Sequence, residues 1–387
     1  MLTREENDLL TRVGPETPAG ELLRRYWHPI AIARELTDDS PTRFVRVLGE
    51  DLVLFRDRSG RVGLIADHCA HRNASLLYGR VEERGIACAY HGWLYDTEGR
   101  CLETPAEPAD SKFHLTVRLK ANPVQQFLSL YWAYLGPQPA PVIPRYDAWV
   151  KEGERRVTVR PLDCNWLQMM ENSVDPAHLQ ILHQGAGTNS RVRLESTTRG
   201  LTDVVDRFEF DELPYGIMKR RLYTNGLVDE HPLIFPNILR HQGTQIRVPI
   251  DDTHTMHFSI SYRALKEGQI PHADDDIPAS YGKPHKDPPD GLYPYARYTM
   301  ADVAAQDYMA WETQGPIADR TVERLATSDR GVVMFRRMLR EEIARVRQGL
   351  DPRCVVRDPD HAMIDTRLTQ SVAEYFGRDR SPVAVGS

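Results

Sequence analysis

No run in the 387-residue sequence approaches the roughly 18 consecutive apolar residues that a membrane-spanning helix needs. The opening Met1-Leu2-Thr3-Arg4-Glu5-Glu6-Asn7-Asp8 also lacks the basic-then-apolar order of a signal or transit peptide, so the chain reads as cytoplasmic. Cysteine is scarce: five residues, an odd number, which argues against the disulfide framework of a secreted domain and for reduced thiols. Cationic excess is missing too. Against 49 Lys+Arg stand 55 Asp+Glu, a net charge of −6, and no basic run tracks a phosphate backbone, which argues against nucleic acid as a partner. Internal repeats and low-complexity tracts are absent. What remains, 41% hydrophobic and 27% charged residues, supports packed cores, and the length suggests two domains.

Along the chain, Leu9, Leu10, Val13 and then Leu22, Leu23, Tyr26, Trp27 recur at helical spacing around the Gly14-Pro15 break and predict a helical lead-in. From about Arg43 to Leu115, short runs such as Phe44-Val45-Arg46-Val47-Leu48 alternate with turn residues and predict a small β domain. Gly136 to Pro144, rich in prolines that remove backbone donors, reads as an inter-domain linker. Beyond it come a helix around 165–184, strand-like runs near 245–248 and 256–260, and helical patterns from about 300 to 349, a mixed α+β pattern. The stretch 270–295 reads as a long surface loop.

Two constellations carry chemistry. Cys69-Ala70-His71 and Cys88-Ala89-Tyr90-His91 each offer a thiolate and an imidazole in one short loop. Such a set suits a tetrahedral zinc or a [2Fe-2S] cluster with one iron on sulfur and one on nitrogen; prongs that mix Cys with His favour the cluster over zinc-finger spacing. Cys101, Cys164 and Cys354 have no such neighbours and read as ordinary thiols. Further on, His178 and His183 stand five apart, about 140° on an ideal helix, so a shared metal requires a helix end, bulge or kink between them. Two imidazoles and one carboxylate form the facial triad of non-haem Fe(II) oxygenases. Asp307 is the chosen third ligand, with Asp302, Glu312 and Asp319 as competitors. Taken alone, Asp175 would read as a helix cap and the histidines as core residues; the upstream Cys/His motif shifts the balance.

Together, Cys69-x-His71 and Cys88-x2-His91 followed by Asp175-x2-His178-x4-His183 resemble the Rieske non-haem iron aromatic oxygenases. Gln306-Asp307 with Gly315-Pro316-Ile317-Ala318-Asp319-Arg320 is similar to the phthalate dioxygenase-like branch, where that Asp is an iron ligand. Ala70 and Asn73 depart from the proline and glycine that many relatives carry there. The resemblance implies an α+β fold: a helical lead-in over 1–40, a Rieske [2Fe-2S] β domain over 41–140, and a helix-grip catalytic domain over 141–387 that holds Fe(II). It implies a ferredoxin and/or reductase as electron donor and a homotrimer without a separate small subunit. It further implies that Asp175 bridges His178 and His91 of the partner subunit, with Asn172 helping to orient it.

The reaction so implied is an O2- and electron-dependent oxidation of an aromatic compound. Lys219-Arg220-Arg221, Arg240 and Arg247 are cations that suit a carboxylated substrate, with Arg220, Arg221 and His241 as the chosen contacts. Adjacent Arg220 and Arg221 on a strand face opposite sides, and solvated strand-edge charges are the plain alternative. His254 and His257 read as pocket or turn residues. The general layout is similar to aryl O-demethylases of lignin-derived biaryls, which favours O-demethylation or hydroxylation; ring cis-dihydroxylation is the alternative. A non-catalytic electron carrier would need only the first constellation.

Overall fold

In the computed structural model of the chain, the described residues are 1–183, 204–287, 297–299 and 302–366. Helix α1 (Arg4–Thr11) starts at Thr3, whose hydroxyl accepts from Glu6 N while Glu6 returns a bond to Thr3 N, a capping box. Helix α2 (Pro18–Leu23) is capped by Thr17 and begins on proline, which loses nothing at a position with no intrahelical partner. The helical lead-in stops there. Trp27–Ile32 is strand β1, although Tyr26 and Trp27 fit the helical spacing of Leu22 and Leu23. Pairing with β10 (Leu130–Tyr134) overrides that spacing, and Pro29 sits where the register shifts.

The first domain continues with β2 (Thr42–Val47), β3 (Glu50–Arg56) and β4 (Val62–Ala66) as one three-stranded sheet. A second, four-stranded sheet runs through β5 (Arg80–Glu82), β6 (Gly85–Ala87), β7 (Leu94–Tyr95) and β8 (Cys101–Glu103). Strand β9 (Val124–Phe127) joins β10 and β1 in a third. Between the first two sheets lies a small core of Val53, Phe55, Ile65, Leu76, Ile86, Trp93 and Tyr95 that includes Cys69 and Cys88.

After the proline-rich stretch come β11 (Arg145–Tyr146), α3 (Asp147–Val150) and β12 (Glu154–Leu162), then α4 (Trp166–Ser173) and α5 (His178–Ile181). Strands β13 (Val205–Leu213), β14 (Gly216–Tyr223), β15 (Val228–Ile234), β16 (Ile238–Arg240), β17 (Thr244–Pro249) and β18 (Thr255–Arg263) follow as an antiparallel meander. With β12 beside β18 and β19 (Ala279–Tyr281) parallel to β12, they make an eight-stranded sheet. Part of the expected 270–295 loop is thus strand, and residues 288–295 lie outside the described set. The short pair β20 (Lys286–Asp287) and β21 (Arg297–Tyr298) precedes α6 (Val303–Glu312) and α7 (Arg330–Arg347), and β22 (Met363–Ile364) pairs with β11.

Register divides the large sheet by face. Val159, Phe258, Ile246, Ile238 and Ile234 stand opposite one another across five strands and join the main core. The other face carries Arg247 opposite His257 and Lys219 opposite His231. That polar face meets α6, where Tyr308 Oη lies 3.4 Å from His257 Nδ1 and Arg247 lies over the Trp311 ring. Among the described residues, no helix is long and apolar enough to cross a membrane.

Candidate active site

The first constellation occupies two matching loops. Cys69 follows β4, and Asn73 N donates to Cys69 O at 2.9 Å; Cys88 follows β6, and Gly92 N donates to Cys88 O at 2.9 Å. Both loops close four residues after the cysteine on a left-handed residue, Asn73 (φ 57°) and Gly92 (φ 75°). Asparagine visits that region more readily than most other residues with a side chain, which suits Asn73 to a position matched by a glycine in the second loop. Both cysteines are buried, His71 is exposed and His91 is half-buried. The imidazole rings lie 4.4 Å apart, and His71 stacks on Trp93 at 4.5 Å.

Burial pushes the Cys69 thiol up, so a thiolate there needs a cation to neutralise it. Tyr95 Oη, 3.3 Å from Cys69 Sγ, is placed to donate to that sulfur. Sequence reasoning missed Tyr95, because a tyrosine seven residues past Cys88 carries no spacing signal. Buried thiols on the inside and imidazoles on the outside form a donor set suited to a [2Fe-2S] cluster at the domain surface.

The second constellation depends on an interrupted helix. Asn165 caps α4 by accepting from Leu167 N, and Glu171 anchors it, accepting from Arg320 and Arg336. The helix ends before Asp175-Pro176, because the residue before a proline is driven from helical conformation. Asp175 Oδ1 then accepts from Ala177 N at 2.7 Å, starting the single turn α5. That turn ends at Ile181, between the two histidines, and their rings converge to 5.3 Å.

Asp307 arrives from α6. Its Oδ1 lies 3.4 Å from His183 Nε2 and 3.7 Å from His178 Nε2, and one ligand atom from each residue falls within 4.8 Å of the others. Burial raises the Asp307 carboxyl to about 6 even against His178, Arg247, Lys219 and the Asn172 side chain. Its Oδ1 is buried without a hydrogen-bond donor, an unsatisfied acceptor aimed at two imidazole nitrogens. That arrangement fits a ferrous ion. Behind the histidines, His178 Nδ1 faces Asp175 Oδ2 at 3.3 Å, and His183 Nδ1 lies 2.8 Å from Gln306 Oε1.

The competing carboxylates are committed elsewhere. Asp302 caps α6 through Ala305 N, and Asp319 accepts from Thr321 at the surface. Glu312 takes bonds from Asp163 N, His285, Lys286 and Tyr298; burial would raise it, but these partners bring it down to about 2. Asn172 stands between two neighbours: its backbone carbonyl accepts from Asp175 N at 3.0 Å, while its side chain hydrogen-bonds Asp307 and lowers that carboxyl.

The polar face of the sheet walls the site and revises the substrate residues. Arg220 points to the opposite face and is buried between Asp211 and Glu230, so it is structural, neither a substrate contact nor a solvated edge charge. Arg240 is likewise taken by Asp147 and Thr366. Arg221 faces the site but pairs with Asp229. His241, at the turn after β16, keeps a buried Nε2 without a partner, and His254 is a surface residue on Asp251. Lys219 and Arg247 remain. Both are buried, neither has a carboxylate within ion-pair distance among the described residues, and each lies close enough to Asp307 to lower its pKa. Burial pulls Lys219 down to about 7 and Arg247 to about 9.

Residues 26–127 match the family model described as the Rieske [2Fe-2S] domain, and residues 296–366 match the one described as LigXa C-terminal domain like. Over 373 residues the chain is 39% identical to the 5,5'-dehydrodivanillate O-demethylase oxygenase subunit of Sphingobium sp. (strain NBRC 103272 / SYK-6), spanning 93% of this chain and 84% of that one. The chain belongs to the Rieske non-haem iron aromatic oxygenases. The oxygenase is also 35% identical to the phthalate 4,5-dioxygenase oxygenase subunit of Pseudomonas putida, over 90% of this chain and 88% of that one. Its fold is that of Pseudomonas putida CBB5 NdmA in a mutant with theobromine (TM-score 0.61, 21% identity, 85% of this chain and 93% of that one). It is also that of dicamba monooxygenase bound to dicamba (TM-score 0.57, 18% identity, 84% and 99%). The cofactors are accordingly a [2Fe-2S] cluster and mononuclear iron, and the chain is the terminal oxygenase component of its system.

Proposed function

We propose that this oxygenase acts on a carboxylated aromatic compound, by O-demethylation or hydroxylation, in the cytoplasm. The observation that carries the reading is the pair Lys219 and Arg247, buried cations beside the candidate iron ligands that have no ion-paired carboxylate among the described residues. An uncompensated buried charge is costly, and a substrate carboxylate relieves it. Gln245 holds Arg247 from behind through Nη1 and Nη2, which leaves the buried Nε–H without a protein acceptor. A substrate anchored there by its acidic end presents its far end to the open side of the triad.

In this reading Cys69, His71, Cys88 and His91 hold the cluster, and His178, His183 and Asp307 hold the iron, on a chain divided near residue 140. When bound, the cluster supplies single electrons and the ferrous iron supplies the centre at which dioxygen is activated. Asp175 orients His178 and links it to His91 of the partner subunit in a head-to-tail homotrimer. The exposed His71 and Tyr90 and the half-buried His91 at the tip of the first domain suit such a contact.

The test is oxygen uptake by the reconstituted enzyme with a ferredoxin and reductase on methoxylated benzoates and their methyl esters. Losing a charge-assisted hydrogen bond costs about 1.5–3 kcal/mol, so the ester should fall about 10- to 150-fold in kcat/KM. Equal rates on acid and ester would end the carboxylate reading. Formaldehyde and a phenol as products mark O-demethylation. A cis-dihydrodiol would mark ring dihydroxylation, the second reading, which the 35% identity to phthalate 4,5-dioxygenase favours.

A further inference from the structure

We propose that Gln306 is a positioning residue for the iron-binding imidazole of His183, and that it makes the two imidazoles of the site chemically unequal. The inference rests on the ligand set proposed above. Gln306 and the His183 side chain are both buried, and Oε1 lies 2.8 Å from Nδ1. An amide oxygen only accepts, so Nδ1 carries the ring proton and the lone pair is left on Nε2. Nε2 is the atom that faces Asp307 Oδ1 at 3.4 Å.

Gln306 precedes Asp307 on α6, so one helical segment supplies a ligand and the partner that aims another ligand. The segment itself is well fixed: Asp302 caps its start, and Trp311 and Glu312 are buried at its end. His178 is backed differently: its Nδ1 faces the Asp175 carboxylate at 3.3 Å without hydrogen-bond geometry. One ring is thus held by a neutral amide acceptor and the other lies beside a charge, which leaves the two imidazoles unequal.

The experiment measures ferrous iron affinity by anaerobic competition with a chelator, on protein whose cluster absorbance shows it to be intact. Wild type is compared with Gln306→Leu, Gln306→Asn, Gln306→Glu and His183→Ala. Loss of such an outer partner typically weakens metal binding about 10- to 100-fold. Gln306→Leu should show that loss, and so should Gln306→Asn, whose shorter side chain does not reach Nδ1. Gln306→Glu restores an acceptor of full length and should bind iron at least as tightly as wild type. Gln306→Leu with wild-type affinity would overturn the role of Gln306, as would equal losses in the Leu and Glu variants, which point to packing alone. His183→Ala with wild-type affinity would instead overturn the ligand set.

Discussion

Replacing Lys219 with methionine, which keeps an unbranched stem and removes the ammonium, should stabilise the iron-free protein while weakening its hold on substrate. Burial, reinforced by Arg221, brings this lysine from 10.5 to about 7. A lysine whose folded pKa is lowered is protonated more readily in the unfolded chain. Stability is therefore lost as pH falls from 10.5 to about 7 and is level below that. At about 1.4 kcal/mol for each tenfold step, the charged lysine costs about 5 kcal/mol below pH 7 and about 3 kcal/mol near pH 8. Methionine escapes that cost. Thermal unfolding of the two cluster-bearing, iron-free proteins should show the variant ahead by the largest margin near pH 7, with the margin shrinking toward about pH 10. KM for a carboxylated substrate should rise about 10- to 150-fold in the same variant, as expected for a lost hydrogen bond to a charged group. A variant less stable than wild type near pH 7, or one that keeps its KM, would refute the reasoning.

Asp175→Asn should retain cluster and iron by metal analysis yet turn over far more slowly; normal single-turnover rates would remove Asp175 from the electron path. Tyr95→Phe deletes the hydroxyl 3.3 Å from Cys69 Sγ and should make the cluster midpoint more negative in a redox titration, since hydrogen bonds to the sulfurs raise it. An unchanged midpoint would mean that the hydroxyl does not donate to the sulfur. Glu171→Ala leaves Arg320 and Arg336 buried without their shared carboxylate and should cost about 3–5 kcal/mol in urea unfolding, a loss too large for a surface pair.

The two candidate metal motifs stand out in the sequence because ligand chemistry demands fixed residue types at short, fixed spacings. Cys69, His71, Cys88 and His91 need only two loops to be read as a set. Asp307 was one of four candidates in the sequence, and it is the one that faces two imidazoles at once, whereas Glu312 shares its single imidazole with a backbone N–H, a lysine and a tyrosine. The lead-in was misread because periodicity does not include a partner: Trp27 fits a helix until β10 lies beside it. Arg220 was chosen over Lys219 for a related reason. Alternation along a strand shows that neighbours diverge, but only the pairing of β14 with β13 and β15 fixes which parity faces the candidate iron ligands. Gln306 entered the sequence reading only as the neighbour of Asp307, since a neutral amide backing a histidine has no spacing signal of its own.

The two-sided sheet has an evolutionary consequence. Positions 219, 221, 231, 247 and 257 line the face toward the candidate iron ligands, whereas 234, 238, 246 and 258, on the opposite face of the same sheet, hold the molecule together. Selection can thus exchange the residues of the first face, trading lysine or arginine for apolar or neutral ones, without disturbing the supporting masonry behind them. A catalytic scaffold with that separation can diversify its diet one residue at a time.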